Sequence, residues 1–166
     1  MPLILRRLLI ALPALCCATA SAQPILEQPS LTLDAAVKMV NACESLAKSK
    51  GWKVSIWVVD DNGLPIHMKR MEGAPVQAIT TAEMKAKSSK LWLGSTDPAD
   101  PKSPLAKLIK EQRGQAISVL TNAFPEGGGL PVIVGGKFAG AIGVSGADGA
   151  SDTQCAQAAV DAILKR

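Results

Sequence analysis

The chain has 166 residues, about one domain's worth, with 18 lysines and arginines against 14 aspartates and glutamates. The cations are spread along the chain, and no dense basic run with interleaved aromatics occurs, which sets nucleic acid aside as a partner. A single histidine without clustered ligands makes a poor zinc site.

Residues 1–22 read as a secretory signal. Arg6-Arg7 form the positive n-region, Leu8 to Cys17 a short apolar h-region, and Ala20-Ser21-Ala22 an A-x-A cleavage site. The apolar run is about half the ~20 residues that a spanning helix needs, and a retained anchor is the alternative. Cleavage after Ala22 predicts a periplasmic or secreted protein with no stable membrane span, and it removes two of the arginines. Residues 23–30 are a flexible polar arm, and residues 31–166 a single domain. Two cysteines survive processing. An even count in an exported chain points to a Cys43–Cys155 disulfide, each partner lying on the apolar side of a predicted helix. Two buried free thiols are the alternative. No C-x-x-C pair suggests redox chemistry.

Thr32 caps a helix from Leu33, with Ala36, Val37, Met39, Val40, Cys43, Leu46 and Ala47 as its apolar stripe and Gly51 as its end. Trp52 to Asp60 is a strand. Val54, Ile56 and Val58 face one way, and Ser55, Trp57 and Val59 the other. Both faces are largely apolar, so helices or another subunit must cover the second. Asp61-Asn62-Gly63 turns the chain into a second strand, Leu64 to Met71, in which Ile66 and Met68 alternate with His67 and Lys69. Pro75 to about Leu93 reads as a helix with Ala82, Met84, Ala86 and Leu91 inward and Glu83, Lys85, Lys87 and Lys90 wet. Gly94 to Pro104 is a loop, and Pro104 to Gln112 a short helix. Ile117 to Leu120 is a short strand, and Asn122 to Gly129 a glycine-rich loop.

Leu130 to Val134 and Phe138 to Val144 form a hairpin about Gly135-Gly136. Gly140 and Gly143 mark places where a backbone or ligand comes close. Ser151-Asp152 offers a cap for a last helix, Gln154 to Leu164, with Cys155, Ala158, Ala159, Ala162 and Ile163 inward. The fold class is α+β, an α/β sandwich whose largely antiparallel five-stranded sheet is packed by the N- and C-terminal helices.

Several stretches, in order, resemble the GlcG/HbpS-like family, which is of haem-binding or haem-degrading type and related to the C-terminal domain of PduO-type proteins. They are LTLDAA at Leu31 to Ala36, VSIWVVDDNG at Val54 to Gly63, RMEGAP at Arg70 to Pro75, GGGLPV at Gly127 to Val132, and GAIGVSG at Gly140 to Gly146. The resemblance implies a profilin-like arrangement, a homo-oligomer and haem as cofactor. Haem iron takes His, Met, Cys or Tyr, so His67 becomes the candidate axial ligand, with Met71 nearby and Lys69 and Arg70 to pair the propionates. A lone histidine on a strand reads equally as a half-exposed sheet residue.

A second candidate site is the loop pair Gly127-Gly128-Gly129 and Ser145 to Asp152, which flank one hairpin. A small anion there would meet backbone N–H groups and the helix start at Asp152. Turn and packing roles are the alternative, since neither a dinucleotide fingerprint nor a P-loop is present. Asp60, Asp61 and Glu72 are carboxylates within reach of one another, though turn chemistry accounts for the two aspartates. The expected function is exported haem or tetrapyrrole binding, without turnover. The rivals are a small-metabolite binder or enzyme using the glycine-loop pocket, and an oligomeric accessory protein.

Overall fold

The computed structural model describes residues 27–110 and 123–165. The expected signal segment, most of the arm and the expected strand Ile117 to Leu120 lie outside the described residues.

Helix α1, Leu33–Lys50, begins where Thr32 Oγ1 accepts the Ala35 N–H at 3.2 Å. Asp34 sits in its first turn, Lys48 and Lys50 in its last, and Gly51 closes it in the left-handed conformation. Strands β1, Ser55–Asp60, and β2, Pro65–Arg70, make the first hairpin. Asp60 Oδ1 accepts the N–H groups of Asn62 and Leu64, both at 2.8 Å, so this carboxylate builds the turn. Helices α2, Ala78–Trp92, and α3, Pro104–Lys110, follow. Strands β3, Gly129–Val134, and β4, Lys137–Ser145, lead into α4, Gly149–Leu164.

The sheet runs β2-β1-β4-β3, every pair antiparallel. Among the described residues it has four of the expected five strands; the remaining one, Ile117 to Leu120, lies outside them. The central seam β1–β4 joins the two hairpins. Helices α1 and α4 cover one face, where Met39, Val40, Cys43, Ile56, Val58, Ile142, Val144, Cys155 and Ala159 form the main core. Each large side chain buried there contributes about 1.5–3 kcal/mol. The other face carries Val59 and Ala141 against Ala86 of α2, with Trp57 and Phe138 alongside. A helix of the same chain therefore covers the second apolar face of β1. It comes very close: a Cβ at Gly143 would collide with the Ala82 carbonyl. The close approach at Gly143 is thus to a backbone.

Four expectations change. Lys85, expected in water, is fully buried, while Leu91, expected inward, is 50% exposed. The inward face of α2 is a stripe of small residues, Ala78, Ala82, Ala86 and Ser89, and Lys85 shares it. Helix α4 begins earlier than expected, because extended Asp148 is its N-cap and accepts the Ser151 N–H at 2.9 Å. Within it Ala156 and Val160 are buried with Cys155 and Ala159, and Ala162, expected inward, is exposed. Cys43 and Cys155 form the disulfide, tying α1 to α4 across 112 residues of sequence; free thiols are set aside.

Candidate ligand-binding site

Strand β2 lies at one margin of the sheet, and its ladder with β1 fixes where each candidate residue sits. His67 pairs with Val58 and Lys69 with Ile56, so both belong to the α1 side. Met68 pairs with Trp57 and Arg70 with Ser55, on the α2 side. A bulge opposite Val58 and Val59 makes Ile66 the extra, unpaired residue of β2, and Ile66 packs against the main core. This breaks the simple alternation: Met68, expected with Ile66 in the core, is 47% exposed, while Met71, just past the strand, is buried.

Past the end of β2 the two sides meet in a cleft of about 270 Å³ lined by Glu44, Lys48, Lys53, Lys69, Arg70, Met71 and Glu72. Four cations face two carboxylates. Glu44 of α1 organises one wall, its carboxylate taking Lys69 Nζ at 2.5 Å and Lys48 Nζ at 2.9 Å. The hydrogen bonds from Lys69 and then Lys48 hold the Glu44 carboxyl below its ordinary pKa. Arg70 donates to the Ala74 carbonyl at 2.6 Å. His67 stands two residues up the strand from Lys69, about 6–7 Å away along the backbone. The structure thus brings Lys69, Arg70 and Met71 to one cleft and leaves half-exposed His67 beside it.

The second candidate set also comes together, around a residue that sequence reasoning placed in water. Lys85 Nζ meets Asp152 Oδ2 at 3.0 Å and Glu126 Oε2 at 2.9 Å, and lies 5.7 Å from the centre of the Phe124 ring. Lys85 and Asp152 are almost fully buried. Burial pushes the Asp152 carboxyl above its ordinary pKa, against the opposing pull of Lys85. Asp152 Oδ1 also accepts the Ala147 N–H at 3.1 Å.

Gly127, Gly128 and Gly129 are all buried and let the loop close on this pair. A Cβ at Gly128 would collide with the Val144 carbonyl and come within 2.8 Å of Asp152 Cβ. One at Gly129 would lie 2.6 Å from the Lys85 carbonyl. Thr96 Oγ1 fastens the loop further, donating to the Glu126 carbonyl at 2.6 Å and accepting the Gly129 N–H at 3.0 Å. Ser145 Oγ takes a hydrogen bond of 2.6 Å from Thr81 Oγ1 of α2. The helix start at Asp152 faces a lysine of the protein itself.

Sequence reasoning missed Lys85, Glu126, Glu44, Lys48 and Lys53. For Lys85 a signal existed: it shares one helical face with Ala78, Ala82, Ala86 and Ser89. Glu44 carried none, because its partner Lys69 lies 25 residues away on another element.

A family model described as "Haem degrading protein HbpS-like" matches residues 31–161. The chain is 36% identical over 135 residues to an uncharacterised 15.0 kDa protein from the dhaT-dhaS intergenic region of Citrobacter freundii, covering 80% of this chain and 91% of that one. Among solved structures, a double mutant of HbpS from Streptomyces reticuli is similar at 32% identity and a TM-score of 0.75, covering 93% of this chain and all of that one. A PduOC–haem complex shares the fold at 22% identity and a TM-score of 0.72, covering 81% of this chain and 96% of that one. With most of its described length matched, the chain belongs to the HbpS-like family.

Proposed function

We propose that this protein binds haem or a related tetrapyrrole along β2, with His67 toward the iron and the cleft below it toward the propionates. The observation that carries this reading is the cleft's surplus of cations beside the chain's single histidine. The family description, with haem in its name, agrees with it.

The residues present fit the group. An imidazole on a marginal strand is an accessible iron donor. Lys48, Lys53, Lys69 and Arg70 form charge-assisted hydrogen bonds with carboxylates, and arginine does so with two parallel bonds. Glu44 keeps Lys48 and Lys69 on the cleft wall and lowers the local positive potential without cancelling it. When bound, haem supplies a redox-active iron and an intense visible chromophore. We read the activity as binding rather than turnover.

The test is a haemin titration followed by absorbance, with His67→Ala alongside. A saturable, shifted Soret band that is lost in the variant supports the reading. A spectrum of free haemin throughout overturns it.

Export and self-association belong to the same proposal. Export is carried by the n-region, h-region and A-x-A pattern of residues 1–22, and the exported protein is expected to begin at Gln23 by N-terminal sequencing. Recovery of the protein with residues 1–22 still attached would count against export. Self-association is motivated by the apolar surface at Leu64, Met68 and Val76, which are 62%, 47% and 82% exposed. Light scattering would show a multiple of the chain mass, and a monomer's mass would sink this part.

A further inference from the structure

The three long helices start differently. Helix α1 has Thr32 as its cap and Asp34 in the first turn, and α4 has Asp148 and Asp152. Helix α2 has neither: Gln77 makes no side-chain cap, and no acidic residue stands in the first turn. The N–H groups of Ile79 and Thr80 have no partner among the described residues. A helix start is the positive end of the helix dipole, so a nearby cation is unfavourable there. Yet Arg70 is tied to the segment leading into α2, by its hydrogen bond to the Ala74 carbonyl four residues before the helix. Glu72, on the wall of the same cleft, makes no ion pair with Arg70 among the described residues.

A second observation is independent of the helix. Ser55 is fully buried, and its Oγ has no hydrogen-bond partner. Leaving a buried hydroxyl unpaired is costly. Ser55 sits on the α2 side of the sheet, with Arg70 opposite it on β2 and Ser145 opposite it on β4. Ser145 is in turn bonded to Thr81, in the fourth position of α2. The row Arg70–Ser55–Ser145 therefore runs beneath the start of the helix. Two unpaired N–H donors, an unpaired hydroxyl and a guanidinium with no acidic partner among the described residues thus belong to one end of α2 and the sheet row beneath it, and an anion is the kind of group that pairs with all of them.

We propose that the start of α2 is an oxyanion site, built from the Ile79 and Thr80 N–H groups, the Arg70 guanidinium and the Ser55 hydroxyl. It takes the carboxylate or phosphate group of a small molecule. The site needs no iron and stands whether or not haem binds.

The test is a titration of the full-length, ligand-free protein with inorganic phosphate, read by amide chemical shifts. Saturable shifts centred on Ile79 and Thr80 are expected, weakened about tenfold in Arg70→Ala, as for loss of one charge-assisted contact. Ser55→Ala is expected to bind several-fold more weakly with a Tm unchanged or raised, because the variant removes an unpaired buried group. Shifts that are absent, or identical in Arg70→Ala, overturn the proposal. So does a Ser55→Ala variant that melts lower yet binds phosphate normally. A second arm separates the two sources of the oxyanion. If haemin displaces phosphate and haemin dimethyl ester does not, the natural occupant is a propionate. If neither does, it is a free oxyanion. The haem reading fails separately, on the absence of a Soret shift.

Discussion

Two lysine–carboxylate clusters in this molecule use the same chemistry at opposite depths. In the cleft, Glu44 gathers Lys48 and Lys69 with side chains that are 66% and 41% exposed. Under the glycine loop, Lys85 joins Asp152 and Glu126 with its own side chain fully buried. Water screens the first and leaves its cations available to a ligand. In the second, Lys85 and Asp152 have lost water, so their charges depend on one another, and the cluster fastens α2, the glycine loop and α4 at a single point. Ion pairs of 2.5–3.0 Å thus divide into the proposed recognition surface and an internal fastening according to burial.

The largest test of that division is Asp152→Ala, which strands the Lys85 ammonium beside a half-exposed glutamate. It is expected to cost about 3–5 kcal/mol in chemical denaturation. Replacing both partners with apolar residues, Lys85→Met with Asp152→Leu, is expected to recover most of that loss; failure to do so would show that the cluster does more than hold charges together. Gly128→Ala comes next: its φ of 114° and the Val144 carbonyl leave no place for a methyl group, so the loop must open and Tm must fall. Glu44→Gln is the mild case, under about 1 kcal/mol by the same measurement. It is expected to loosen Lys48 and Lys69 and to alter haemin affinity more than stability.

The smallest effect has a diagnostic sign. Glu44 has a lowered folded pKa, so its contribution is present above the ordinary glutamate range and lost as pH falls through the lowered value. Asp152 has a raised folded pKa, so its contribution is present below the ordinary aspartate range and lost as pH rises through the raised value. Melting curves between about pH 3 and 7 should therefore show a shallower acid limb in Glu44→Gln and a steeper one in Asp152→Asn. Equal slopes would erase the distinction between the two clusters.

The buried cluster is also where sequence reading stopped. The helices around Cys43 and Cys155, the turns at Asn62-Gly63 and Gly135-Gly136, and the family motifs are legible because each rests on local periodicity or on glycine at a turn. The ladder of β2 is harder, since the bulge at Ile66 shifts every later side chain of the strand and no residue type announces it. Lys85 reads as wet in the sequence because charge outweighs stripe position in a helical pattern. Only the small residues flanking it, and the glycines facing it from a loop some forty residues later, show that the backbone closes there. Glu44–Lys69 and Arg70–Ala74 are tertiary contacts, and nothing local encodes them.

The order β2-β1-β4-β3 carries one more consequence. Each outer pair is a hairpin contiguous in sequence, and the seam between β1 and β4 joins the first half of the chain to the second. The Cys43–Cys155 bridge crosses the same division. A single peptide cleavage in the loop between α2 and α3 would thus leave two fragments, each holding a complete hairpin and one long helix of the main core. Under oxidising conditions they remain one covalent molecule. After reduction they become a complementing pair whose reassociation can be switched by a thiol reagent.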